Sequence, residues 1–116
     1  MSDSTMTVAE LRMLVQQFVD ERDWSQFHSP KNLSMSIAIE AAELMEHFQW
    51  LTLNQARDIR ESAEEMQQVR EELADILCFA LSFANVLEID ISKALKDKMV
   101  KNAEKYPVEE FRGRFR

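Results

Sequence analysis

The stretch NLSMSIAIEAAELMEHFQW, residues 32–50, contains neither proline nor glycine and repeats its large apolar side chains at helical spacing. Advancing about 100° per residue from Leu33 gathers Leu33, Ile37, Leu44, Phe48 and Leu51 on one face, the stripe by which a helix joins a core. Glu40 falls inside that stripe, and Glu43 flanks it one turn later. The same construction on residues 62–87, SAEEMQQVREELADILCFALSFANVL, gathers Val69, Ile76, Phe79, Phe83 and Leu87. Glu72 lies in the middle of that second stripe and Asp75 at its edge. Two helices thus each present a carboxylate pair at i and i+3 toward the place where their neighbours must pack.

The rest of the chain is organised around these two helices. At 116 residues it is long enough for one domain, 1–116, with about 108–116 expected as a flexible basic tail carrying Arg112, Arg114 and Arg116. One glycine and two prolines leave little to punctuate a sheet, so the fold class is all-α. A first helix starts at Thr7, where Thr7 and Glu10 have capping-box spacing, and ends near Asp20. The segment RDWSQFHSPKN reads as a connection because of Pro30. Helix two runs from about Asn32 to Trp50, a short helical turn follows from Thr52, and a long helix covers about Ser62 to Leu87. Asp90 caps a last helix from Ile91 to about Lys105, which Pro107 closes. Four main helices joined by short loops predict a four-helix bundle-like arrangement.

Composition narrows the partners. With 21 acidic against 14 basic residues and a formal net charge of -7, the chain has no broad basic face with which to displace counterions from a nucleic-acid duplex. Cys78 is the single cysteine, so no intrachain disulfide can form. No run of about 18 apolar residues predicts a membrane span. The expectation is a soluble cytoplasmic protein with no nucleic-acid or membrane partner.

A Glu-x-x-Glu pair in so acidic a chain is ordinarily a solvated helix face. Two pairs, both set in apolar stripes, reverse that reading. An unpaired carboxylate in a low-dielectric site costs several kcal/mol, of that order of magnitude, and converging like charges make ionisation harder. Neither stripe contains a lysine or arginine to compensate. A hard divalent cation bound through oxygen is the economical alternative. A di-iron carboxylate bundle would need Glu-x-x-His twice, but the residues three before His28 and His47 are Ser25 and Leu44. A non-catalytic helical module that binds a protein partner through its Met-rich faces is the competing reading from a different class; it requires no Mg2+ and tolerates Glu72→Gln. His47, one turn beyond Glu43, reads either as a packing histidine or as a partner of a carboxylate.

The pattern Glu40-x-x-Glu43, a spacer, then Glu72-x-x-Asp75 resembles the metal-binding signature of the MazG-like all-α nucleoside triphosphate pyrophosphohydrolases. ERDWSQFHSPKNL at 21–33, ELMEHFQW at 43–50, EELADIL at 71–77 and KMVKNAEKYP at 98–107 are similar to the dCTP pyrophosphatase branch. The resemblance implies a Mg2+-dependent hydrolysis of a dNTP to dNMP and diphosphate, Mn2+ being able to substitute, in a housecleaning role on dCTP or related and modified dNTPs. It implies Glu40, Glu43, Glu72 and Asp75 as metal ligands, with Glu43, or else Glu40, activating the water. It implies phosphate contacts from Lys98, Asn102, Lys105 and Tyr106, and a base slot from Trp24, Trp50 and His28. Phe79 departs from the branch, which has tyrosine at the matching place, and the lost hydroxyl relaxes the expected selectivity.

Self-association follows from the apolar faces. Ala38, Ala41, Ala42, Met45, Leu73, Leu77 and Leu81 extend the apolar surface of helices two and three beyond one stripe, more than one small unit can cover. The resemblance implies a homotetramer, a dimer of dimers, with sites lined by more than one chain.

Overall fold

A computed structural model describes all residues, 1–116, as six helices and no strands. The helices are α1 (Val8–Glu21), α2 (Pro30–Glu46), α3 (Leu53–Arg57), α4 (Ala63–Leu87), α5 (Ile91–Lys105) and α6 (Val108–Phe111), with 3-10 turns at Ser25–Phe27 and Asp58–Glu61. Each of the first five begins at a short polar side chain that accepts the otherwise unpaired amide of its third residue. Thr7 does so for α1 in a reciprocal box with Glu10, Ser29 for α2, Thr52 for α3, Ser62 for α4 and Asp90 for α5. No helix is long and apolar enough to cross a membrane.

Helix two departs from the expected bounds at both ends. Pro30 opens α2 instead of ending a loop, because the first helical position has no amide partner to lose and Ser29 provides the cap, its Oγ accepting the Asn32 N–H at 3.1 Å. At the other end α2 stops at Glu46. The following amides tighten, His47 N–H donating to Leu44 O at 3.2 Å and Phe48 N–H to Met45 O at 2.9 Å. Thr52 then needs an extended backbone, ψ 167°, to cap α3, and this draws residues 47–51 off the helix axis. Trp50 and Leu51 consequently lie in the connection, Leu51 exposed rather than part of the stripe.

Both α1 and α4 end in the same way. Asp23, at φ 51°, lets Trp24 N–H donate back to Val19 O at 3.1 Å; Glu88, at φ 55°, lets Ile89 N–H donate to Ala84 O at 2.9 Å. These are left-handed C-caps without glycine, in which the reversal frees the chain to leave the helix at a sharp angle.

The main packing is α2 against α4, with α1 laid along α4 and the 58–61 turn closing one end. Leu33, Val19, Ile59 and Ala84 are buried at the centre. α5 is not packed along any other helix, and its Leu95, Met99 and Val100 are more than half exposed. The chain expected to be a flexible tail begins with the single turn α6, which brings Phe111 edge-on to Tyr106 with ring centroids 5.1 Å apart.

One chain does not close a core. Its surface is 9582 Å², whereas a compact monomer of 13.6 kDa exposes about 6,600 Å². Its radius of gyration is 17.2 Å, against about 13 Å for a compact domain of this length. Met45, Leu73 and Leu77 are each about half exposed, and the extended faces of α2 and α4 remain open in the isolated chain.

Candidate functional site: a carboxylate cluster between two helices

The α2–α4 pairing determines the site. Glu40 and Glu43 project from α2 one turn apart, and Glu72 projects from α4 toward them. One carboxylate oxygen from each lies within 4.8 Å of the others, and all three side chains are partly buried. Glu40 Oε2 and Glu72 Oε2 are shielded from solvent and have no hydrogen-bond partner. Asp75 stands one turn further along α4 and is exposed. It contributes its charge at the rim rather than an oxygen in the triad.

The protein's cations do not reach this cluster. Its ion pairs are Arg22 with Glu21, Lys93 with Asp97, and a 4.0 Å approach of His47 Nε2 to Glu72 Oε1. Burial first, then the closeness of Glu43 and Glu72 and the charge of Asp75, pushes the Glu40 carboxyl up to about 7. Three acids in a half-buried space thus retain a proton that an isolated glutamate would lose. His47 stands near the cluster, but at 4.0 Å from Glu72 it makes no hydrogen bond to it. Burial and the Asp75 charge also push the Cys78 thiol up, so it stays protonated and is a filler rather than a nucleophile.

Such a site fits a hard cation. Its donors are all oxygen, two of them lack any partner, and neutralising the cluster would remove the cause of the raised Glu40 pKa. Glu40, Glu43 and Glu72 could hold a divalent cation, with Asp75 able to join from the rim.

The remaining expected residues are dispersed around this centre in one chain. Phe79 is half-buried one turn beyond Asp75 on α4. His28 is partly buried after the first 3-10 turn, with Nδ1 shielded and unpartnered. Trp24 is 43% exposed and meets Phe18 edge to face at 5.6 Å; Trp50, at 86% exposed, has no packing of its own. Lys98, Asn102, Lys105 and Tyr106 lie on or just beyond α5, which stands away from the bundle, and no ion pair joins either lysine to the carboxylates. Asn102 is partly buried against Met99, and Lys105 lies over the Tyr106 ring at 5.3 Å.

One polar group of the interior was missed at the sequence level. Arg12 donates from Nε to Asn85 Oδ1 at 2.9 Å and from Nη2 to Ala84 O at 3.2 Å, and also to Ile89 O, tying α1 to the end of α4. Its signal was available, since Arg12 is four residues after Val8, three before Val15 and seven before Val19, a charge set in the apolar stripe of α1.

Comparison with known proteins identifies the family. Residues 35–114 match the MazG-like family. The chain is 37% identical over 110 residues to dCTP pyrophosphatase 1 of Bos taurus, covering 95% of this chain and 65% of that protein. It is 36% identical over 107 residues to dCTP pyrophosphatase 1 of Rattus norvegicus, covering 92% of this chain and 63% of that protein. It therefore spans somewhat less than two thirds of the length of these relatives. The crystal structure of a pyrophosphatase from Archaeoglobus fulgidus superposes with a TM-score of 0.81 at 39% identity, covering 92% of this chain and 98% of that one. On the family match, the identity and the shared fold together, the chain belongs to the MazG-like family.

Proposed function

We propose that this chain is a Mg2+-dependent nucleoside triphosphate pyrophosphohydrolase that converts a dNTP and water to dNMP and diphosphate, acting on dCTP or related and modified dNTPs in a housecleaning role. The observation that carries the reading is the Glu40–Glu43–Glu72 cluster, whose shielded oxygens have no basic partner in the chain. The activities named for the bovine and rat relatives and for the Archaeoglobus protein support the reaction class.

When held by these carboxylates, Mg2+, or Mn2+ in its place, would supply positive charge to offset the negative charge developing on the leaving diphosphate and would favour ionisation of the attacking water. The chain's own groups do the rest. Glu40, Glu43, Glu72 and Asp75 are the proposed ligand set. Glu43, or else Glu40, orients the attacking water and accepts its proton. Trp24, Trp50 and His28 supply flat and polar surface for the base, with Phe79 beside the cluster unable to donate the hydrogen bond of a tyrosine. Lys98, Asn102, Lys105 and Tyr106 contact the phosphates.

The same reading requires more than one chain. α5 and the tryptophans lie apart from the cluster in the isolated subunit, and roughly 3,000 Å² of surface beyond that of a compact monomer awaits cover. We place the chain in a homotetramer, a dimer of dimers, whose sites draw on neighbouring subunits. Sedimentation equilibrium at micromolar concentration should give the tetramer mass, and a monomer would exclude this assembly.

Incubation of the protein with each dNTP, with and without Mg2+, should yield dNMP and diphosphate only with the metal. Glu72→Gln should lower turnover by about 100-fold or more, the scale lost when an electrostatic stabiliser of a transition state is removed. Absence of turnover with every dNTP would instead favour the non-catalytic binding module, and full activity in Glu72→Gln would contradict the role given to the carboxylate cluster.

The strained cluster also affects stability. Glu40 titrates at about 7 in the fold against 4.5 in its absence, so the metal-free protein loses stability as pH rises from about 4.5 through 7. Glu40→Gln removes that loss. Its melting temperature without metal should exceed wild type by several degrees at pH 8, and the gap should close near pH 4.5; an equal or lower value at pH 8 would contradict the strain.

A further inference from the structure

The direction of α5 is determined at one elbow. Glu88 reverses the chain at φ 55°, and Ile89 N–H donates back to Ala84 O at 2.9 Å. Asp90 then caps α5 by accepting the Lys93 N–H at 2.9 Å. Between the two helices lie only Glu88, Ile89 and Asp90, and α5 lies along no other helix of its chain. A small rotation at Ile89 would therefore swing the whole of α5, whose 15 residues extend about 22 Å from the elbow.

Arg12 fastens this elbow from outside. Its guanidinium donates to Ala84 O and Asn85 Oδ1 on the α4 side and to Ile89 O beyond the reversal, and Asn85 Nδ2 returns a bond to Arg12 O at 3.2 Å. A planar, five-donor head can hold three acceptors of fixed geometry at once, which a lysine cannot. The bonds are part-buried, so water competes weakly for them.

We propose that Arg12 is a positioning residue for the phosphate-binding half of the site: by bridging Ala84, Asn85 and Ile89 it fixes the angle at which α5 presents Lys98 and Asn102 to the triphosphate. The proposal rests on the pyrophosphohydrolase reading, under which Lys98 and Asn102 contact phosphate. Arg12 itself touches neither the carboxylates nor, on this account, the substrate. The carboxylate cluster lies on α2 and α4, so loosening the elbow leaves it intact.

The test is steady-state kinetics of Arg12→Ala, Arg12→Lys and Asn85→Leu with the preferred dNTP, alongside binding of Mn2+ alone followed by its electron paramagnetic resonance signal. Substrate binding lost equally from ground and transition states raises KM with kcat kept. KM should rise about tenfold in Arg12→Ala, within the scale by which misplacing a substrate-positioning group by an ångström reduces an enzyme. Arg12→Lys, which keeps the charge but not the fork, should rescue little, Asn85→Leu should lie between, and Mn2+ affinity should stay within twofold. Unchanged KM in the folded variants, or a loss of kcat matching only a loss of folded protein, overturns the proposal. If Arg12→Ala does not fold, the Lys and Asn85 variants decide. Failure of the pyrophosphohydrolase reading is separately visible, because wild type itself would then turn over no dNTP.

Discussion

The α2–α4 contact carries both the fold and the chemistry. Leu33 is almost wholly buried in it, and Ile37, Leu44, Ile76 and Phe79 are partly covered along the same seam. The seam also contains Glu40, Glu43 and Glu72, which apolar packing alone would never select. Helical periodicity permits the combination, since a stripe about 100° wide has room for a carboxylate pair at i and i+3 without giving up the leucines on either side. The result is a cluster rigid because its backbone belongs to two helices, and uncomfortable because no lysine or arginine pairs with its charges. Strain of this kind is retained where a ligand relieves it.

The second constraint is the shortage of interior. Only five residues are buried in a chain of 116, and α5 projects from the bundle with Leu95, Met99 and Val100 uncovered. Such a chain keeps its order through local devices, the capped helix ends and the left-handed reversals at Asp23 and Glu88, and through the long-range Arg12 clamp between α1 and α4. Those devices matter because they direct α5 outward. Under the proposed function, Lys98 and Asn102 would then reach a site only through contact with another subunit, which would link the excess surface to the proposed division of labour.

Much of this could be read from the sequence, for reasons that individual residues make plain. Thr7, Ser62 and Asp90 marked helix starts because a short polar side chain before a periodic run has one dominant use. Glu40, Glu43 and Glu72 were recognisable because they interrupt apolar stripes. The bounds of α2 were not: Pro30 was read as a break when its position after Ser29 made it a first-turn residue, and the demand of Thr52 for extended backbone was invisible to a count of periodicity. Periodicity likewise placed Asp75 beside Glu72 but did not show that it stands more exposed than the other three carboxylates. Arg12 was overlooked because a lone arginine is normally solvated; its place in the α1 stripe was the missed signal.

The central claim is that Glu40, Glu43 and Glu72 form a cradle for a divalent cation, and metal binding without any nucleotide addresses it directly. Titrating Mg2+ into the protein by calorimetry at pH 7, in two buffers of different ionisation enthalpy, measures affinity and proton release together. With Glu40 titrating at about 7, binding should expel about half a proton per cluster, and Glu40→Gln should bind more weakly and expel none. Saturable binding with no proton released, equal in wild type and Glu40→Gln, or no binding at millimolar Mg2+, would contradict the account.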